Sequence, residues 1–161
     1  MPHPRARSFK RASRLHFDAG TDLLYSDGGA VTAPSTLAQV GNFSASGLVV
    51  PDSTHGVAYF PGTTPSQSGG NYTLQIFDLK TYTLLKSIAL GSIVGFPNQM
   101  IRWGSSGIAF ITENGGYLGQ SAPGMTYILS GDALAVTGSQ PAAATEEHVQ
   151  ITWRSQLHKK R

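Results

Sequence analysis

The chain has no cysteine. Disulfide frameworks, thiolate metal sites and cysteine nucleophiles are therefore excluded. Charge is scarce, at 13% of the 161 residues. No apolar run approaches the ~18 residues that a membrane-spanning helix needs, so no transmembrane segment is expected. The first 17 residues also lack the continuous apolar segment of a secretory signal, because Phe9, Leu15 and Phe17 stand among polar residues. In contrast, glycine is plentiful, with 19 glycines and 9 prolines. That favours turns over helices, and the length fits about one β-rich domain.

Charge is segregated along the chain. Residues 1–17 carry Arg5, Arg7, Lys10, Arg11 and Arg14 without an acid, and residues 148–161 carry Arg154, Lys159, Lys160 and Arg161 without one. The stretch 18–147 holds all nine acids against Lys80, Lys86 and Arg102, a balance of −6. The pI near 9.3 thus belongs to the ends and the body is acidic. Basic ends of this kind read as solvated, weakly structured tails, 1–17 and within 137–161, and nucleic acid is not the expected partner. Residues 142–158 admit two readings. Pro141 at a helix start, early Glu146 and Glu147, late Lys159–Arg161 and the four-residue spacing of Val149, Trp153 and Leu157 favour a helix. The alternation Val149-Gln150-Ile151-Thr152-Trp153 favours a half-buried strand. The helix is slightly preferred.

Internal repetition is the main signal. Gly56-Val57-Ala58-Tyr59-Phe60 matches Gly107-Ile108-Ala109-Phe110-Ile111 in residue type at an offset of 51, and each follows an apolar pair and a polar turn. Ser35-Thr36-Leu37-Ala38-Gln39-Val40 matches Lys80-Thr81-Tyr82-Thr83-Leu84-Leu85 at an offset of 45, as outer hairpins. Leu23-Leu24-Tyr25-Ser26 resembles the Ala58-Tyr59-Phe60 strand. The unit is four short strands in about 40–50 residues, the period of a β-propeller blade. The expected fold is all-β, a partial β-propeller of about two and a half four-stranded blades. They span 18–43 (the rear of one blade), 47–90 (a full blade) and 97–136 (most of another). Unbroken apolar runs suit sheets covered on both faces, and small Ala58 and Ala109 would admit a neighbouring sheet closely.

At Ile76-Phe77-Asp78-Leu79-Lys80-Thr81 and Ile101-Arg102-Trp103-Gly104-Ser105-Ser106-Gly107-Ile108-Ala109-Phe110 the chain resembles bacterial WD40/YVTN-like propeller repeats, over roughly residues 20–136. Pro51-Asp52 keeps the proline–acid turn of such repeats and Trp103-Gly104 departs from it. The resemblance implies a propeller fold and an envelope or secreted setting, and leaves function open, because propellers serve as scaffolds and as enzymes. Closed propellers use 4 to 8 blades. The expectation is therefore a fragment of a larger ring, or a protomer that associates through its exposed blade faces.

Motifs for chemistry are absent. The segment Gly119-Gln120-Ser121-Ala122-Pro123-Gly124 has one residue too many for a G-x-S-x-G elbow, and no S-x-x-K, G-x-G-x-x-G or Walker loop occurs. Asp18, Asp22 and Asp27 miss the EF-hand spacing and read as turn caps, and the five histidines show no ligand spacing. Neither a metal nor a cofactor is expected. Arg102, alone among arginines in the acidic body, is a candidate to hold a carboxylate or phosphate from an inner strand, with Trp103 beside it. The competing role is an inter-blade ion pair with an aspartate. His55 and Asp52, in the corresponding turn of the preceding blade, complete the candidate binding residues, and no catalytic residue is assigned. The loops 61–71 and 113–124, rich in glycine and serine, fall at the same place in successive units and would frame a surface for a protein or a small anionic ligand. The leading functional reading is a non-catalytic binding scaffold. The alternative is the remnant of a propeller lyase or hydrolase, with His55, Asp52 and Arg102 left of its site.

Overall fold

Three four-stranded antiparallel sheets, each a meander in which consecutive strands pair, make up the chain. The computed structural model describes residues 14–63, 71–113, 124–134 and 150–155. Sheet one contains β1 (Leu15–Asp18), β2 (Leu23–Ser26), β3 (Ala30–Ala33) and β4 (Ala38–Asn42). Sheet two contains β5 (Val50–Asp52), β6 (Val57–Thr63), β7 (Asn71–Asp78) and β8 (Leu84–Ser92). Sheet three contains β9 (Phe96–Trp103), β10 (Gly107–Glu113), β11 (Met125–Ser130) and β12 (Gln150–Ser155). A single 3-10 turn, Asp132–Leu134, is the only helical element among the described residues. The chain is all-β, and its sheets do not close on one another.

Two expectations change. The first unit is a complete sheet, because Leu15–Asp18, which begins ahead of the expected boundary at 18, adds a strand that pairs with β2 from Leu15↔Ser26 to Asp18↔Leu23. The segment weighed as a helix supplies β12, paired with β11 from Met125↔Ser155 to Ser130↔Gln150. The edge of β11 offers a row of unpaired backbone groups, and ladder hydrogen bonds to it outweigh the weak helical signal of a short segment. The remainder of 137–161 and residues 1–13 lie outside the described residues, as do 64–70 and 114–123 in the two long loops.

The middle sheet is buried on both faces. Along β6, Val57, Ala58, Tyr59 and Phe60 are all at most 1% exposed. Successive strand residues face opposite sides, so this run divides between two cores. Val57 and Tyr59 join Leu74, Ile76, Met100, Ile108, Phe110 and Tyr127 between sheets two and three. Ala58 and Phe60 join Tyr25, Val31, Phe43 and Phe77 between sheets one and two. An unbroken apolar strand is what coverage on both faces requires.

Phe43, just past β4, is the centre of the second core. Its ring lies 5.1 Å from Phe60, 5.5 Å from Phe77, 5.3 Å from Tyr82 and 6.3 Å from Tyr25. Its backbone N–H donates to Gly29 O at 2.8 Å. Gly29 has φ +85°, and a Cβ there would stand 2.7 Å from Phe43 O and 2.5 Å from Ala45 O, so only glycine fits. In the other core the linker from β8 to β9 is held by two tyrosine hydroxyls: Tyr72 donates to Gly95 O at 2.7 Å, and Tyr127 accepts from Val94 N at 3.1 Å.

The two sequence offsets fare differently. At the offset of 45, Leu37 and Tyr82 both adopt left-handed φ, 55° and 58°, so the outer hairpins of sheets one and two share a turn geometry. The offset of 51 is one residue out. Val57 pairs with Asp52, the last residue of β5, and Gly107 pairs with Trp103, the last residue of β9. The turn before β10 is one residue shorter than that before β6, and a one-residue slip reverses every side chain. Ala58 therefore faces sheet one, whereas Ala109 lies on the outer face of sheet three.

Burial of three tyrosines predicts an alkaline transition. Desolvation raises the phenol pKa of Tyr25, Tyr59 and Tyr72 above the ordinary 10.0, and at Tyr59 it outweighs the opposing pull of the Arg102 charge. A folded pKa above the unfolded one stabilises the fold fully below about pH 10, and that stabilisation disappears as pH rises through the folded value. In a tyrosinate absorbance titration these three of the six tyrosines should ionise late and together with loss of β-sheet circular dichroism. Independent ionisation at the ordinary pH would contradict their burial.

Candidate functional site

The first strands β1, β5 and β9 lie side by side, and their C-terminal ends bring the polar residues together. Asp52 ends β5 with its side chain 5% exposed. Its carboxylate accepts from His55 Nδ1 at 2.7 Å and from the His55 backbone N–H at 3.3 Å, which closes the turn 53–56. The same carboxylate reaches across the sheet boundary to Arg102 Nε at 3.0 Å.

Arg102 uses three of its five N–H donors within the fold. Besides Asp52, its Nη1 donates to Gly107 O at 3.2 Å and its Nη2 to Ser105 O at 2.7 Å. The guanidinium also sits 5.6 Å from the centroid of the Tyr59 ring. Its planar fork thus braces the tight β9–β10 turn while neutralising a buried carboxylate. This is the inter-sheet ion pair weighed against an anion-holding role in the sequence.

An analogous contact joins sheets one and two. Asp18, ending β1, accepts from Ser53 Oγ at 3.1 Å, from Thr21 N at 2.9 Å and from Thr21 Oγ1 at 2.8 Å. It caps its own turn, as expected, and also ties that turn to the next sheet. Asp18, Asp52, Ser53, His55, Arg102 and Ser105 line an open cleft of about 530 Å³ at this end of the first strands. At the opposite end, Arg14, His16, Asn98 and Gln99 line a second cleft of about 330 Å³. There Arg14 spans from sheet one to Asn98 of sheet three.

Three of the four sequence candidates therefore meet, and one does not. Trp103 follows Arg102 on β9 and faces the other way, out of the cleft. The residues not anticipated are Ser53, Tyr59 and Asp18 as a bridge. The signal for Asp18 is its alignment with Asp52 at the end of a first strand, five residues before the start of β2 and β6 respectively.

The chemistry of the larger cleft is hydrogen bonding. Nδ1 of His55 is engaged by Asp52, while the side chain is 40% exposed and its Nε2 has no partner among the described residues. Among the described residues no hydroxyl is hydrogen-bonded to His55. No group of three potential metal ligands occurs among the described residues. No helix among the described residues is long and apolar enough to cross a membrane. Comparison of the chain with protein-family models, with curated proteins and with solved structures finds no match to any of them.

Proposed function

We propose that the chain is a non-catalytic scaffold of the β-propeller type, an arc of blades in a larger ring, which binds a partner protein or small polar ligand over the Asp52–His55 cleft. The architectural part is supported by three consecutive four-stranded meanders, first strands that lie side by side, and a middle sheet covered on both faces. The functional part is carried by one observation. The Arg102 charge is paired with Asp52 and three of its five N–H groups go to Asp52, Ser105 O and Gly107 O, so among the described residues the cleft offers imidazole Nε2 and serine oxygens for recognition and no unpaired cation. A neutral or cationic hydrogen-bonding ligand suits it better than the anion that Arg102 in isolation would attract.

A second reading, the remnant of a propeller lyase or hydrolase, draws on the 2.7 Å Asp52–His55 pair, because a carboxylate that orients an imidazole is half of a general-base system. The two readings separate by turnover. On a panel of chromogenic ester, phosphate and glycoside substrates the scaffold reading expects no rate above that of free imidazole. Turnover abolished by His55→Ala would establish the enzyme reading in its place. In parallel, the His55 ring resonances should move on addition of amine-bearing peptides or neutral sugars, and should stay fixed with acetate and phosphate.

A further inference from the structure

We propose that two copies of this chain pack head to tail, the outer face of sheet three in each against the outer face of sheet one in the other, closing a ring of six sheets. This rests on the propeller reading above. Both outer faces carry exposed apolar side chains. Leu15 and Phe17 on sheet one are 63% and 56% exposed, and Ile101, Trp103 and Ile111 on sheet three are 54%, 49% and 38% exposed. End repeats that meet only water carry polar outer faces.

Strand register shows what each face is built to meet. Asp18, Asp52 and Trp103 are equivalent, each ending a first strand and pairing with the first residue aligned on the second. Phe17, Pro51 and Arg102 are equivalent one residue earlier, and Tyr25, Tyr59 and Ala109 are equivalent on the second strands. At the boundary between sheets two and three, Arg102 meets Asp52 and lies over the Tyr59 ring. The same relation between sheet three and the first sheet of another copy sets Phe17 against Trp103 and over Ala109. There the structure has a surface hollow of about 190 Å³, lined by Ile101, Ala109, Phe110 and Ile111 with Gln99 and Thr126 at its polar edge. The ring that Tyr59 supplies at the inner boundary is missing at Ala109, and Phe17 supplies one from the other side.

Polarity changes on both sides at once. An acid and a cation meet at the inner boundary, and two aromatics occupy the equivalent positions on the outer faces. Because the two halves of this complementary contact belong to one chain, its natural occupant is a second copy. Each copy offers both faces, so two contacts close the assembly and six sheets fall within the 4 to 8 of closed propellers.

The test is light scattering coupled to size exclusion on the full 161-residue chain over a concentration series. The expected mass is twice 17.0 kDa, independent of loading at high concentration. Trp103→Asp and Phe17→Arg change exposed residues and should each weaken association about 100-fold, with circular dichroism unchanged. Combined, they recreate the Asp52–Arg102 pairing across the boundary and should restore the dimer to within about tenfold. A wild-type monomer, a polymer that lengthens with concentration, or single variants of unchanged mass would each overturn the two-copy ring. So would a folded double variant that stays monomeric. None of these results disturbs the three-sheet arc, whose failure would show instead as loss of energetic coupling between Asp52 and Arg102.

Discussion

Phe43→Ala is expected to lower the unfolding free energy by about 3–5 kcal/mol, the range for removing a buried aromatic that its surroundings cannot refill. The ring is 2% exposed and touches four other aromatics drawn from sheets one and two. Its surroundings are also poorly placed to collapse. Tyr82 is held in a left-handed turn, and a Cβ at the neighbouring Gly41 would stand 2.2 Å from the Tyr82 ring, so that ring already fills the space over β4. Phe43→Leu keeps most of the volume and is expected to cost roughly half as much. The measurement is urea unfolding followed by circular dichroism. A loss under about 1 kcal/mol for the alanine variant would mean that sheets one and two are not packed through this ring.

The second large effect is expected at Arg102. Arg102→Ala removes the cation from a nearly buried carboxylate and frees the carbonyls of Ser105 and Gly107. Breaking a buried pair on one side costs about 3–5 kcal/mol, and the partial exposure of Arg102, 21% against 5% for Asp52, reduces the expectation to about 2–4 kcal/mol. Arg102→Lys recovers little of this, because an ammonium group cannot span Asp52 and two backbone carbonyls in a fixed plane. In a double-mutant cycle with Asp52→Ala, the coupling should be about 1–3 kcal/mol. Additive losses would show that the two side chains do not meet.

The sequence carries the all-β class and the four-strand period in its turns and apolar runs. It also brings Asp52, His55 and Arg102 forward together, since each stands beside a turn that ends a first strand. Other features were not legible, for physical reasons. β1 has only four residues, Leu15–Asp18, next to a basic tail, and takes its structure from pairing with β2 rather than from any strong local pattern. β12 forms because β11 offers an edge, a partner 20 residues away that helical periodicity does not report. The one-residue error in the 51-residue repeat arises because Ala58 and Ala109 match in type while the shorter turn of sheet three turns them to opposite faces. Trp103, adjacent to Arg102, leaves the cleft for the same reason of alternation.

Sheet two is covered on both faces, by sheet one through Phe43 and by sheet three across the Asp52–Arg102 boundary. Native-state amide hydrogen exchange tests it directly. Val57–Phe60 of β6 and Leu74–Phe77 of β7 should exchange only through global unfolding, with a free energy equal to that from denaturant, while the β1 amides exchange through smaller openings. If β6 and β7 exchange as freely as β1, the middle sheet lacks its two covers, and the packed arc on which the cleft depends is contradicted.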